Sequence, residues 1–557
     1  MSSDTPGTPG GAGAGEPAHV DYLEDAAPKK RRKGPLVAGA AVVTVAVVGA
    51  AAWGVTQFLS DSTTPAQAIP ASAIGYIGID IDPGKDQQLE AYQTLKKFPA
   101  LEKELGLESE SDLRESLFNL IKEESGCDDL SFADDIEPWL GNSVAFAALP
   151  GDEEPTAFAV VETTDQDAAE KGVATLAECG SSEDAADSSE PAPSESASSE
   201  DSEDSDGPAY DFSGDYMVFA ESQDDVDEVL AEIDKGTLAD DETFQARVEE
   251  AGGTGFVTGY ASPEAATEFL ETVSNETETL GGSAPSEEEK ELLEEAFADF
   301  EGAAMSLRFA DEGVEFKVTA AGVVQEDLSA ALSEGDTGMT ELPATTIAAY
   351  GIPVGDDAVA QILEFAEKFD TEGELEQGIT EFESATGLSV PEDIQTLLGD
   401  GFTISLDDSV DFGGLTSGSS GPDQIPAGIR INGDPAEIRE VLERALDASG
   451  APPGFLTIEE GEGALAVGLN PDYVAELAGT GELGSEPAFE SVLSELSGDQ
   501  GAFFVSFEGD WLSALVGSFP GEDSAKIQEN IEPLQAAGVS TTANEDGFSY
   551  TVRITTD

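Results

Sequence analysis

Histidine is almost missing from this chain: among 557 residues the only one is His19. Beyond the first few dozen residues, this excludes Ser-His-Asp and Cys-His catalysis, His-ligated zinc, copper or iron, and pH switching by imidazole. Cysteine is nearly as scarce. Cys127 and Cys179 are the only two, which suits a single disulfide between them or two buried thiols, and leaves no room for a disulfide framework or a Cys-rich metal site. Positive charge is thin, with 23 Lys and Arg against 117 Asp and Glu and a formal net charge of −94. Such a field repels nucleic acid and anionic headgroups and attracts cations, basic peptides and cationic polymers. The phosphate-cradling Gly-x-x-x-x-Gly-Lys-Ser/Thr loop, the Gly-x-Gly-x-x-Gly fingerprint and the Gly-x-Ser-x-Gly elbow are all lacking. No cofactor is expected.

One long apolar run is present. Gly34 to Ser60 carries no charge over 27 residues and follows the basic cluster Lys29, Lys30, Arg31, Arg32 and Lys33. A helix of that length exceeds the roughly 30 Å thickness of a bilayer core. The run is expected to be a single transmembrane helix over 34–60, oriented by the five basic residues with 1–33 cytosolic and the rest extracytoplasmic. Ala66-Gln67-Ala68 has the small-x-small form of a signal-peptidase site, so cleavage is the alternative to a retained anchor. Ala46, Ala50 and Gly54 form a small-xxx-small face, a spacing that an Ala-rich helix produces readily by chance.

Residues 1–33 read as a disordered tail, and 181–207, without one basic residue, as a solvated acidic insert. The rest contains a repeat. Leu130-Ser131-Phe132-Ala133-Asp134-Asp135-Ile136-Glu137-Pro138-Trp139-Leu140-Gly141-Asn142 recurs as Leu388-Ser389-Val390-Pro391-Glu392-Asp393-Ile394-Gln395-Thr396-Leu397-Leu398-Gly399-Asp400, identical at six of thirteen positions. Both copies run into strand-like alternation, Val144/Phe146 and Phe402/Ile404. Further matches follow in order: Ile69-Pro70-Ala71 with Leu342-Pro343-Ala344, Gly255-Phe256-Val257 with Gly501-Ala502-Phe503, and Gly313 to Val318 with Gly547 to Val552. The expected organisation is a tandem duplication, 69–322 and 341–557. Each copy reads as about seven strands and eight helices. Short turns such as Gly214-Asp215, between Tyr210–Phe212 and Tyr216–Phe219, imply antiparallel hairpins. The fold class is α+β, a mainly antiparallel sheet with packed helices in each half, preceded by the transmembrane helix.

Three segments carry a resemblance. Pro70-Ala71-Ser72-Ala73-Ile74-Gly75-Tyr76-Ile77-Gly78-Ile79-Asp80-Ile81-Asp82-Pro83, Lys97-Phe98-Pro99-Ala100-Leu101 and Asp134 to Gly141 together resemble a family of actinobacterial membrane-anchored proteins catalogued as a domain of unknown function. The resemblance implies a cell-envelope location in a Gram-positive bacterium. It supplies no activity, ligand or catalytic residue.

Two carboxylate groupings stand out. Asp80-x-Asp82-x-Gly84-x-Asp86 has the look of a calcium loop, but Ala91 stands where the closing Glu belongs, so a strand end and helix cap is the preferred reading. The doublets Asp134-Asp135 and Glu392-Asp393 occur in both copies and read as helix amino termini, where acids favour the dipole. Trp139, Trp511 and the phenylalanines sit in core-like contexts. The expectation is a non-enzymatic envelope protein binding a protein, lipid or cell-wall ligand in a cleft between its halves. A carboxylate-dependent hydrolase of wall polysaccharide and a transmembrane sensor acting through the tail are the alternatives.

Overall fold

The structure, a computed structural model, describes residues 64–80, 85–100, 130–151, 155–184, 209–268, 297–310, 313–322, 335–367, 374–452, 454–494, 496, 500–509, 511–517, 524–544 and 547–557. Among them no helix is long and apolar enough to cross a membrane. The longest, Gln166–Asp184, carries Asp167, Glu170 and Lys171 in its first turns, charges that a hydrocarbon core does not admit. This overturns the transmembrane helix in the expected fold and, with it, the single-pass location. The run 34–60, the tail 1–33 with its basic cluster, and most of 181–207 lie outside the described residues; 181–184 extend a helix rather than opening a loop.

Sixteen strands form one continuous antiparallel sheet. The first half contributes β1 (Gly75–Asp80), β2 (Leu140–Leu149), β3 (Thr156–Thr163), β4 (Ala209–Ser213), β5 (Tyr216–Ala220), β6 (Val257–Ala261), β7 (Gly302–Ala310) and β8 (Gly313–Ala321). The second contributes β9 (Thr346–Pro353), β10 (Gly401–Asp407), β11 (Ala427–Asn432), β12 (Thr457–Glu460), β13 (Ala464–Gly468), β14 (Gly501–Ser506), β15 (Leu534–Asn544) and β16 (Gly547–Thr556). Among the described residues each half thus has eight strands, where about seven are expected. The spatial order is β4-β5-β3-β2-β1-β6-β7-β8 followed by β16-β15-β14-β9-β10-β11-β13-β12, so the second half repeats the first in reverse direction. The registers correspond too: Ile77 pairs with Phe146 as Tyr350 pairs with Ile404, and Met305 with Val318 as Val539 with Val552.

The halves join through β8 and β16. Gly313 pairs with Thr555, Lys317 with Thr551 and Gly547 with Ala321, a self-complementary ladder of the kind that relates two subunits about a twofold axis. The expected cleft between halves is therefore occupied by a strand pair, because edge-to-edge hydrogen bonding satisfies the terminal strand of each half. A second link comes from one of the resembling segments: Lys97 Nζ donates to Thr556 Oγ1 at 2.9 Å, and the Ala100 amide to Asn530 Oδ1 at 2.9 Å.

Helices cover both faces. On one face α3 (Gln223–Ile233) and α4 (Glu242–Glu250) bury Val226, Val229, Phe244 and Val248 against Tyr76, Val160, Val218 and Tyr260. In the second half α10 (Pro471–Leu477) and α11 (Pro487–Leu493) do the same with Tyr473, Leu477, Phe489 and Val492 over Ala349, Ala466 and Phe504. The close approach needs glycine at 538, where a Cβ would meet Val492 at 2.8 Å. On the opposite face α2 (Gln166–Asp184) packs Ala169 and Val173 on Val144, Val161 and Met217. There α9 (Pro435–Ser449) packs Ile438 on Ile431, Leu465 and Val467. Covered on both sides, β5 and β13 read as unbroken apolar runs, Tyr216–Ala220 and Ala464–Val467. Ala66 and Ala68, the small residues of the proposed cleavage site, are buried in the first-half core.

Candidate functional site

The carboxylate doublets have structural roles. Ser131 caps a helical turn, Phe132–Ile136; its hydroxyl receives the Asp134 amide, and its own amide donates to Asp135 Oδ2 at 2.8 Å. In the second copy α7 (Glu392–Leu398) repeats the device, the Ser389 amide donating to Asp393 Oδ2 at 2.7 Å. Asp393 also accepts two bonds from Arg444 on α9, at 2.6 and 2.9 Å. These bonds hold its carboxyl below the usual aspartate range, the Arg444 hydrogen bond contributing most and the Ser389 amide next. Both doublets are helix starts, as the sequence indicates. Asp80 closes β1, whereas Asp82, Gly84 and Cys127 lie outside the described residues. Cys179 lies within α2. Among the described residues, no group of three metal-ligating side chains is brought together.

A concave feature of the described residues lies elsewhere, on the outer helices of the second half. α5 (Ala358–Glu367) and α7 lie on the sheet, Ala358 and Leu398 packing on Ile352 and Phe402. α6 (Glu374–Thr386) stands farther out against α9 and has no buried residue at all. Between them opens a cleft of about 600 Å³ lined by Ala366, Leu375, Gly378, Ile379, Phe382 and Val390, with Glu374 as its single charged residue. Leu375, Gly378, Ile379 and Phe382 are spaced i, i+3, i+4, i+7, so they form one face of α6. In most helices such a stripe is core. Here the described residues do not bury it, and Phe382 remains 39% exposed. Val390 is fixed by its amide, which donates to Glu383 Oε1 at 3.0 Å.

A second apolar surface lies on the sheet itself, on the face that carries α5 and α9. Ile429, Ile404, Tyr350 and Phe503 are successive register partners on β11, β10, β9 and β14. They are 37%, 46%, 48% and 39% exposed. Ile77, at the place in the first half that corresponds to Tyr350, is 45% exposed. The sequence reading missed both surfaces. Their signal, an apolar stripe on a helix and apolar alternation on strands, is the same signal that a covered core gives.

A family model described as protein of unknown function (DUF3352) matches residues 36–420. The chain belongs to that family. The match covers the first half and extends through β10, so the family unit runs across the β8–β9 connection and includes α5, α6 and α7 with their cleft. No curated protein and no solved structure matches the chain.

Proposed function

We propose that this chain is a non-enzymatic binding protein: a duplicated α+β scaffold whose continuous sheet holds an apolar cleft open to a ligand. The observation that carries this reading is the cleft between α5 and α6, six of whose seven lining residues are apolar or glycine and whose main wall has no buried residue. Apolar surface left open in this way, rimmed by charge, is what interaction sites have in common. The exposed row Ile429, Ile404, Tyr350 and Phe503 adds a second patch of the same character. The repeated strand order supports an origin of the two halves by duplication.

Nile red, an uncharged apolar dye, tests the reading. Its fluorescence is expected to rise on addition of the full chain and to fall to less than a third of that rise when Leu375 and Ile379 are both changed to Asn. An equal rise with the double variant, its fold intact by circular dichroism, would remove the cleft from consideration.

A further inference from the structure

Among the described residues nothing requires a glycine at 378. It lies in the interior of α6, where glycine costs about 1 kcal/mol relative to alanine, and it has no positive φ. A Cβ built there would meet nothing within 4 Å. The space above it belongs to the cleft, and its absence of a side chain lowers the floor between Leu375 and Phe382. A floor lowered at the middle of a two-turn apolar stripe, about 10 Å long, admits the backbone or an anchor side chain of an incoming helix.

The rim defines the charge of that partner. α5 and α6 carry Glu364, Glu367, Glu374, Glu376, Glu381 and Glu383 and not one Lys or Arg. All but Glu383 are exposed. Both cations of the facing helix α9 are engaged, Arg444 by Asp393 and Arg439 by Glu460. We infer that the α5–α6 cleft receives a cationic amphipathic helix of a protein partner, its apolar stripe seated over Gly378 and its Lys or Arg flanks against the glutamate rim. This rests on the cleft being a binding site, and it adds the chemistry of what binds.

The test uses the full chain and a fluorescently labelled model peptide of about 18 residues, built of Leu and Lys with Leu at helical i, i+3, i+4, i+7 spacing. The controls are a scrambled peptide of the same composition and the variants Gly378→Leu and Phe382→Ser. The expected result is binding of the striped peptide at least tenfold tighter than of the scrambled one. Gly378→Leu, which fills the notch while favouring the helix, is expected to weaken binding at least tenfold, and Phe382→Ser likewise. Raising NaCl from 50 to 300 mM weakens it further. Equal binding of both peptides, or binding indifferent to Gly378→Leu, would overturn the inference and leave only diffuse attraction to an acidic chain. If Nile red enters the cleft and Gly378→Leu excludes it, yet the striped peptide does not bind, the cationic partner falls while the apolar site stands.

Discussion

Glu315 on β8 and Arg553 on β16 face each other across the ladder that joins the two halves, with Arg553 Nε 3.5 Å from Glu315 Oε2. The other oxygen, Oε1, accepts from Arg308 Nε at 2.8 Å and Nη2 at 2.5 Å, and Arg308 reaches back to the Gly252 carbonyl. One buried carboxylate thus neutralises two guanidinium groups at the seam. Glu315→Gln would take the charged acceptor from Arg308 and a carboxylate neighbour from Arg553 at a part-buried seam. The expected loss is roughly 3 kcal/mol, read as a lower urea midpoint; a loss under about 1 kcal/mol would show that the seam is held by its backbone ladder alone.

At the two ends of the same ladder stand Gly313 and Gly547, in corresponding places. A Cβ on Gly313 would press on the Ile554 carbonyl, and one on Gly547 on the Ala320 carbonyl. Backbone atoms cannot swing away as a side-chain tip can. Gly313→Ala and Gly547→Ala are each expected to destabilise by about 1–3 kcal/mol, Gly547→Ala the more, because its φ of +150° disfavours any side chain as well. Gly75→Ala is the control, since a Cβ there meets nothing within 4 Å. Thermal melting of the three variants decides the matter, and a harmless Gly547→Ala would contradict the crowding.

Arg430 is 2% exposed in the middle of the second half's core. Its Nη1 donates to the carbonyls of Leu477 at 3.0 Å and Gly479 at 2.9 Å, and its Nη2 to Glu341 at 2.6 Å. The corresponding place in the first half holds Val160, wholly buried. Arg430→Ala removes both the packing and the donors, with an expected cost of about 3–5 kcal/mol. Arg430→Met refills the volume, and Glu341 is half exposed and can be solvated, so its cost is expected to be well under half of that. Equal losses from the two variants, measured by denaturant unfolding, would mean that the charge rather than the volume matters.

Asp393 gives a pH signature. Its carboxyl is held below its ordinary value in the folded chain, so the ionised form favours folding. That contribution is complete above the unfolded aspartate pKa, near 4, and disappears as pH falls through the lowered folded value. Asp393→Asn removes it. The stability difference between wild type and variant is expected to narrow as pH is lowered from about 5 to about 2; a difference that stays constant over that window would mean that Arg444 gives Asp393 no preference for its charged form.

Much of the sheet is readable in the residues. Val144/Phe146 and Phe402/Ile404 alternate as strands do, the Gly214-Asp215 turn announces the β4–β5 hairpin, and Asn470-Pro471 opens α10 with the Asn470 side chain accepting from the Tyr473 amide. The matched segments align strand for strand with the observed order. The joint between halves is not legible, because the register partners Ala321 on β8 and Gly547 on β16 are 226 residues apart and only the strand edges bring them together. Arg430 escapes notice because a lone cation on an alternating strand reads as solvent-facing. The cleft escapes for the converse reason: Leu375, Ile379 and Phe382 spell a buried stripe, and only the placement of α6 outside α9 shows that nothing in the described chain closes over it. The apolar run 34–60 shows the opposite hazard, where a strong local signal invites a conclusion about location that no described helix supports.

The sheet ends in β4 on one side and β12 on the other, and a row of unpaired peptide groups at such a margin is a template for adding strands without limit. The two margins occupy corresponding places in the strand order of the two halves, so any molecule able to extend one could in principle extend both, and a chain of them would grow into a ribbon. Both margins are short, five and four residues, and both are acidic, with Asp211 on β4 and Glu459 and Glu460 on β12. Bringing two such borders together would set carboxylates side by side. The acidic side chains at both margins therefore oppose end-to-end joining of two such sheets.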